Sequence, residues 1–249
     1  MEVHHHPKVE KKNFKEYLLE GLMIFLAVTL GFFAENLREH FVNKAHEQHY
    51  IHSFYEDLSI DEKELPVLIN SIEKQQIQTA DSLSTVLAKT DSKTPANVVY
   101  TSLRKMIRQQ GVRIFVTDRT IEQVKNAGEM RLIGNKQIAD SLVDYYKEVD
   151  FIEYLQQDLL AFKAELKGDF PLILKNQDYN KVIDSQDRII NPNENLYLSS
   201  TDPFAINKIL IEVSDIRGLS HTIQSMIEDL LRKSESIKKL IADQYHVQN

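Results

Sequence analysis

The sequence predicts an all-α protein in which an N-terminal transmembrane helix continues into an antiparallel bundle of long helices. Three observations predict it. Only seven glycines and six prolines punctuate 249 residues, and turn-bounded β-branched or aromatic alternation is scarce. An uncharged apolar run, GLMIFLAVTLGFFA, covers residues 21–34. Two later stretches carry Ile, Leu or Tyr at strict seven-residue steps, the seam pattern of packed helices. With 42% hydrophobic residues the chain is able to bury a core, so disorder is not the default.

Residues 1–16 read as a cytoplasmic N-terminal segment and residues 17–36 as the transmembrane helix. Extending the uncharged run back to Tyr17 gives a stretch interrupted only by Glu20. At 1.5 Å per residue, roughly 27 Å of helix nearly matches a hydrocarbon core of about 30 Å. A buried core helix and a cleaved signal peptide are the competing readings. Cleavage after Ala34 would put Phe32 where a small residue is wanted, so an uncleaved signal anchor is expected. Lys8, Lys11, Lys12 and Lys15 precede the helix, and only Arg38 and Lys44 follow it closely. That asymmetry places the N-terminus in the cytoplasm and residues 37–249, an extracytoplasmic helical domain, in the periplasm of a bacterial inner-membrane protein.

Within the anchor, Ala27 and Gly31 form a small-xxx-small pair on one face, with Glu20 and Glu35 as its acidic ends. This face suits helix association, and in several copies it would line a homo-oligomeric channel or transporter complex. The plain alternative is that Glu20 and Glu35 lie near the headgroups and that small residues are common in membrane helices.

Beyond the anchor, Leu37, Phe41, Ile51, Tyr55 and Leu58 keep helical spacing, so one helix is expected to run on. Pro66 predicts a kink or a restart, with Ser59 and Glu62 as a capping box. The stretch KTDSKTPA, residues 89–96, reads as a loop. A helix follows from about Asn97 to Gln110, closed by Gly111. The segment VRIFVTDRT is the one β-like run. Thr120 with Gln123 reads as the cap of the next helix, which Gly128 ends. Asn135 caps a long helix seamed by Ile138, Tyr145, Ile152, Leu159 and Leu166, with Leu142 and Val149 beside them. Gly168 and Pro171 end it. Residues 176–203 look like an irregular connection folded over the helices. The last helix carries Ile209, Ile216, Ile223, Leu230 and Ile237, with Val213, Ile227 and Ile241 between them and Ser220 and Ser234 weakening the second set.

The stretches IFLAVTLGFFAENLREH (24–40) and TIEQVKNAGEMRLIGNKQIADSLVDYY (120–146) carry a resemblance. Together with the MEVHHH opening and the run Asn126, Ala127, Gly128, Met130, Arg131, Leu132, Ile133 and Asn135, they resemble an uncharacterised family of bacterial single-anchor membrane proteins with a helical soluble domain. The resemblance covers the first 60 residues well, the middle moderately and the C-terminal third weakly. It implies the anchor and the helical fold, and it implies no catalytic residues.

Chemistry is sparse. A formal charge of −7 without a concentrated basic surface argues against nucleic acid as a partner. Arg104, Lys105, Arg108 and Arg113 are the nearest to a basic patch and read as a solvated helix face. The absence of cysteine removes thiolate metal sites, disulfides and cysteine nucleophiles. His46, His49 and His52 recur every third residue and are the candidate metal ligands. Steps of three drift around a helix, so two of them at most would meet one ion well. His4, His5 and His6 are a second, shorter option. No zinc-protease, serine-hydrolase, phosphate-loop or dinucleotide signature is present, and no cofactor is implied. Pairs such as Asp57 with Asp61 identify nothing without a cleft. The expectation is a non-catalytic scaffold or interaction protein of the cell envelope, whose partners are the membrane and either further copies of itself or another envelope protein.

Overall fold

The computed structural model describes residues 13–108 and 113–247. Among them the chain is all-α: one isolated antiparallel bridge, Ile183 with Ile189, is the only β pairing. The helices are α1 (Phe14–Ile72), α2 (Gln78–Leu87), α3 (Asn97–Met106), α4 (Arg119–Ala127), α5 (Lys136–Asp169), α6 (Asn176–Tyr179) and α7 (Pro203–Tyr245). A π-helical turn, Glu73–Ile77, joins α1 to α2. Two compact units divide within α1, the first ending at His49 and the second spanning Tyr50–Asn249.

In the first unit every residue from Asn13 to Val42 is exposed, on all sides of the helix. The second unit holds the core, and its organising pair is α5 against α7. All five seam residues expected on α5 and all five on α7 are buried. Polar links between the two helices run in opposite order along the chain: Asn135 to Gln244, Glu148 to Lys233, Asp169 to Lys208. The later part of α1 and α2 pair with α7 in the same opposed order, through Glu62 to Lys238, Glu73 to Gln224 and Asp81 to Arg217.

Several local expectations give way to tertiary structure. Pro66 neither stops nor restarts α1, which runs on to Ile72. Pro66 is exposed, so the Glu62 carbonyl that loses its amide partner lies on the solvent side of the helix. Ser59 caps nothing, because its hydroxyl donates to the Tyr55 carbonyl at 2.7 Å inside the helix. The interruption comes at the π-helical turn instead, and the apolar spacing explains it. From Ile72 the next buried aliphatic is Ile77, five residues on, followed by Ala80, Leu83 and Leu87. An α-helix advances its face by 3.6 residues per turn, and one wide i→i+5 turn absorbs the extra residue, keeping α2's stripe toward the core.

The β-like segment forms no strand, and α3 ends at Met106, with Gly111 outside the described residues. Thr120 lies inside the first turn of α4, where Asp118 holds the cap position without a side-chain bond. Gly128 ends α4 in the left-handed conformation at φ 66°, which a side chain would strain. The Asn135 side chain accepts from the Ile138 amide and caps α5. Gly168 remains within α5, and Pro171 sits in a short 3-10 turn just beyond it.

The connection after α6 is irregular and is fastened to α3. Asn97 donates to the Glu194 carbonyl at 2.8 Å and accepts from the Leu196 amide at 2.8 Å. The Ala96 amide donates to the Leu196 carbonyl at 2.7 Å, and Leu196 and Leu198 are buried.

If the α5 and α7 seams hold the second unit together, Ile152→Ala or Ile223→Ala costs about 2–5 kcal/mol through lost burial and the cavity left behind. Lys147→Ala, on the exposed side of α5, costs under about 0.5 kcal/mol. Urea unfolding of a fragment beginning at His46 measures the contrast. Equal small effects would place the seams outside the core.

Candidate functional site

The most concentrated chemistry in the second unit is a buried polar network on α1. Helical spacing brings Asp57 and Asp61 onto the face that also buries Phe54, Leu58 and Leu65. Asp57, fully buried, accepts from Arg119 Nε at 2.7 Å, from the Thr120 amide at 3.2 Å and from the Thr120 hydroxyl. Asp61 accepts from the Thr117 amide at 2.8 Å and from the Tyr145 hydroxyl at 2.8 Å. Tyr146 donates to the Thr117 carbonyl at 3.0 Å and meets Tyr145 edge to face, with 5.1 Å between ring centres.

Burial pushes the Asp61 carboxyl above its ordinary range, against the pull of the bonds from Thr117 and Tyr145. Burial first, then the neighbouring Asp61 charge, drives the Tyr145 hydroxyl upward, and Tyr146 shifts the same way for the same causes. Both phenols therefore act as fixed donors rather than as bases. The network grips the chain that leads into α4.

Two polar residues on α5 extend the same grip. Gln156 Oε1 accepts from the Ile114 amide at 3.0 Å, and Lys163 Nζ donates to the Arg108 carbonyl at 3.2 Å. Lys163 is buried, and that burial lowers its ammonium to about 8. Asp57 and Asp61, a pair of the kind expected on an exposed helix face, are buried instead, and Gln156 and Lys163 did not stand out in the sequence. A signal was present, since each occupies a slot of an otherwise apolar stripe.

Near the junction of α5 and α7 lies a carboxyl pair, Asp169 with Glu212, bridged by Lys208. Burial and then the Asp169 carboxylate raise Glu212 to about 7, while the bonds from Glu212 and Lys208 hold Asp169 below its usual range. The two carboxyls titrate as a coupled pair.

The expected site residues are placed as follows. Ala27, Gly31, Glu20 and Glu35 lie on exposed helix in the first unit. Glu35 is held by Arg38, one turn on, in a bidentate pair at 2.5 and 2.9 Å. Its charge is thus offset within its own helix. A Cβ built on Gly31 meets nothing within 4 Å. Thr29, the polar side chain of the apolar run, donates to the Phe25 carbonyl at 2.8 Å. His46 and His49 are exposed in the first unit, and His52 is exposed in the second, where its Nδ1 lies 3.3 Å from Glu56. Among the described residues no group of three or more His, Asp or Glu side chains is arranged to hold a metal. His4, His5 and His6 lie outside the described residues.

The basic residues disperse: Arg104 stacks over Tyr179, Arg113 over Phe115, Lys105 donates to the Lys74 carbonyl, and Arg108 donates to the Asp187 carbonyl.

The fold defines an all-α protein in which, among the described residues, one helix is long and apolar enough to cross a membrane, of mean hydropathy 2.0 over its most apolar window. Comparisons with family models, with curated proteins and with solved structures find no match for the chain.

Two predictions follow from these positions. Glu212 is raised in the folded state, so its contribution is complete below its ordinary value of 4.5 and is lost as pH rises through about 7. Glu212→Gln keeps the neutral form at every pH. Its urea midpoint should therefore gain on the wild type between about pH 5 and about pH 8, and parallel profiles would refute the upward shift of Glu212. Gly31→Leu meets no obstacle within its own chain, so any loss of self-association in detergent or lipid reports on a second helix. Unchanged oligomer size would leave the Ala27 and Gly31 face without a role in assembly.

Proposed function

We propose that the chain is a membrane-anchored helical scaffold or interaction protein of the bacterial cell envelope, without catalytic activity. One observation carries this reading. The helix through residues 17–36 is apolar all round, and each of its large apolar side chains is exposed. A helix of that kind needs an apolar surrounding, and a bilayer supplies one along the required length. The lysines at positions 8, 11, 12 and 15 favour a cytoplasmic N-terminus and a soluble domain in the periplasm. The resemblance to single-anchor bacterial proteins agrees with that arrangement.

The second unit supports the non-catalytic part of the proposal. Its buried carboxylates and tyrosines are committed to backbone amides, hydroxyls and each other, an arrangement that holds chain segments in place. Long packed helices offer rigid outer faces for partners.

The test has two arms. Native membranes washed with alkaline carbonate should retain the protein, and alkaline phosphatase fused after Asn249 should be active. Release by carbonate would remove the anchor, and an inactive fusion with the protein still retained would reverse the orientation.

A further inference from the structure

Beside the π-helical turn, α2 and α3 enclose a cleft of about 250 Å³ lined by Lys74, Gln78, Thr79, Ser82, Thr101, Ser102, Lys105 and Ile189. We infer that this cleft binds a phosphate group carrying a neighbouring hydroxyl, the chemistry of a glycerophosphate.

Charge is the first argument. Two ammonium groups line the cleft and no carboxylate does. The nearest acid in sequence, Glu73, has both oxygens occupied, one by Gln78 Nε2 at 3.1 Å and the other by Gln224 Nε2 at 3.3 Å. Lys105 Nζ donates to the Lys74 carbonyl at 3.0 Å, which fixes its head at the cleft and leaves further N–H groups to give. Among the described residues Lys74 has no carboxylate partner. Two cations at the cleft, with the Glu73 carboxylate turned to amide donors rather than to either lysine, favour an anionic occupant.

The hydroxyls refine the class. Thr79 donates to the Lys74 carbonyl at 3.1 Å, and Thr101 donates to the Asn97 carbonyl at 3.0 Å. Their protons are committed, so toward the cleft these two oxygens accept. Ser82, Ser102, the second N–H of Gln78 and the two lysines remain as donors. A bare oxyanion would use the donors and leave the acceptors idle. A phosphate with an adjacent O–H uses both.

The backbone supplies the third argument. The Lys74 carbonyl accepts from two side chains at once because it belongs to the π-helical turn, a geometry often found at functional sites. The same turn carries Gln76, fully buried, with neither amide atom bonded within the described residues. A turn that absorbs such a cost while presenting Lys74, Gln78 and Thr79 to one cleft is suited to a ligand.

Full-length protein in detergent, titrated by calorimetry with glycerol 3-phosphate and with dihexanoyl phosphatidylglycerol below its micelle concentration, tests the inference. Saturable binding of either probe is expected. Lys74→Glu, an exposed change that disturbs no protein contact of that side chain, should weaken it at least about tenfold. Lys89→Glu, outside the cleft, should leave it unchanged. Tighter binding of the first probe marks a soluble ligand, and tighter binding of the second marks a lipid headgroup. Absence of saturable heat with both probes, or equal affinity in Lys74→Glu and wild type, would overturn the assignment.

Discussion

The second unit depends on one constraint: a stretch of non-helical backbone without a strand partner runs along the helical core, with Ile114 buried, and has to be held there by side chains. Residues 113–118 form it. Four side chains hold this stretch or the backbone on either side of it. Asp61 takes the Thr117 amide, Asp57 the Thr120 amide, Gln156 the Ile114 amide, and Lys163 gives to the Arg108 carbonyl. Burying two carboxylates and an ammonium is costly when they stand alone. Here each is fixed by the backbone it serves, and Arg119, Tyr145 and Thr120 complete the carboxylate shells. The long helices and the irregular segment are therefore one energetic object, since removing the segment would strand the polar groups that α1 and α5 bury for it.

That coupling explains which parts of the fold were legible. The seams of α5 and α7 could be read because each burial is a local matter of period: Ile138, Tyr145 and Ile152, or Ile216, Ile223 and Leu230, repeat without reference to anything else. The second set on α5 begins with Leu142 and Val149 and continues at the same step through Gln156 and Lys163. The polar residues in those slots carry no periodic signal of their own. They mark the place where a segment some 40 to 55 residues earlier in the chain is held. The capping signals at Ser59 and Thr120 misled for the same reason, because a hydroxyl that can cap a helix can also bond its own helix or a distant carboxylate. Gly128 has no side chain to divert, and the Asn135 amide serves both, its oxygen capping α5 while its nitrogen donates to Gln244, so there the local chemistry prevails.

Two kinds of apolar helix occur in this one chain, and the contrast separates the exposed N-terminal helix from the core. On α5 and α7 apolar residues form a stripe and the opposite face is charged, so burial against one neighbour suffices. From Tyr17 to Ala34 the apolar residues occupy every direction, and no partner helix can cover them all. Glu20 and Glu35 bracket that run, with Glu35 tied to Arg38. The long apolar helix was readable because all-round apolarity needs no tertiary information. The candidate residues along it, Ala27 and Gly31, gain meaning only from a second helix.

The cleft at the π-helical turn was beyond the sequence because it joins residues from two helices and a distant connection. Its origin is nonetheless written in the spacing. Ile72 and Ile77 stand five apart, a step that a regular helix cannot place on one face. Had Ile77 stood at position 76, α1 would have passed into α2 without interruption, and the Lys74 carbonyl would have remained within an ordinary helical ladder. The extra residue forces the wide turn. It leaves Gln76 inside, turns the Lys74 carbonyl toward Thr79 and Lys105, and sets Gln78 and Thr79 along the cleft. One surplus residue in an apolar repeat thus converts a seam that serves only packing into a surface with donors, acceptors and charge.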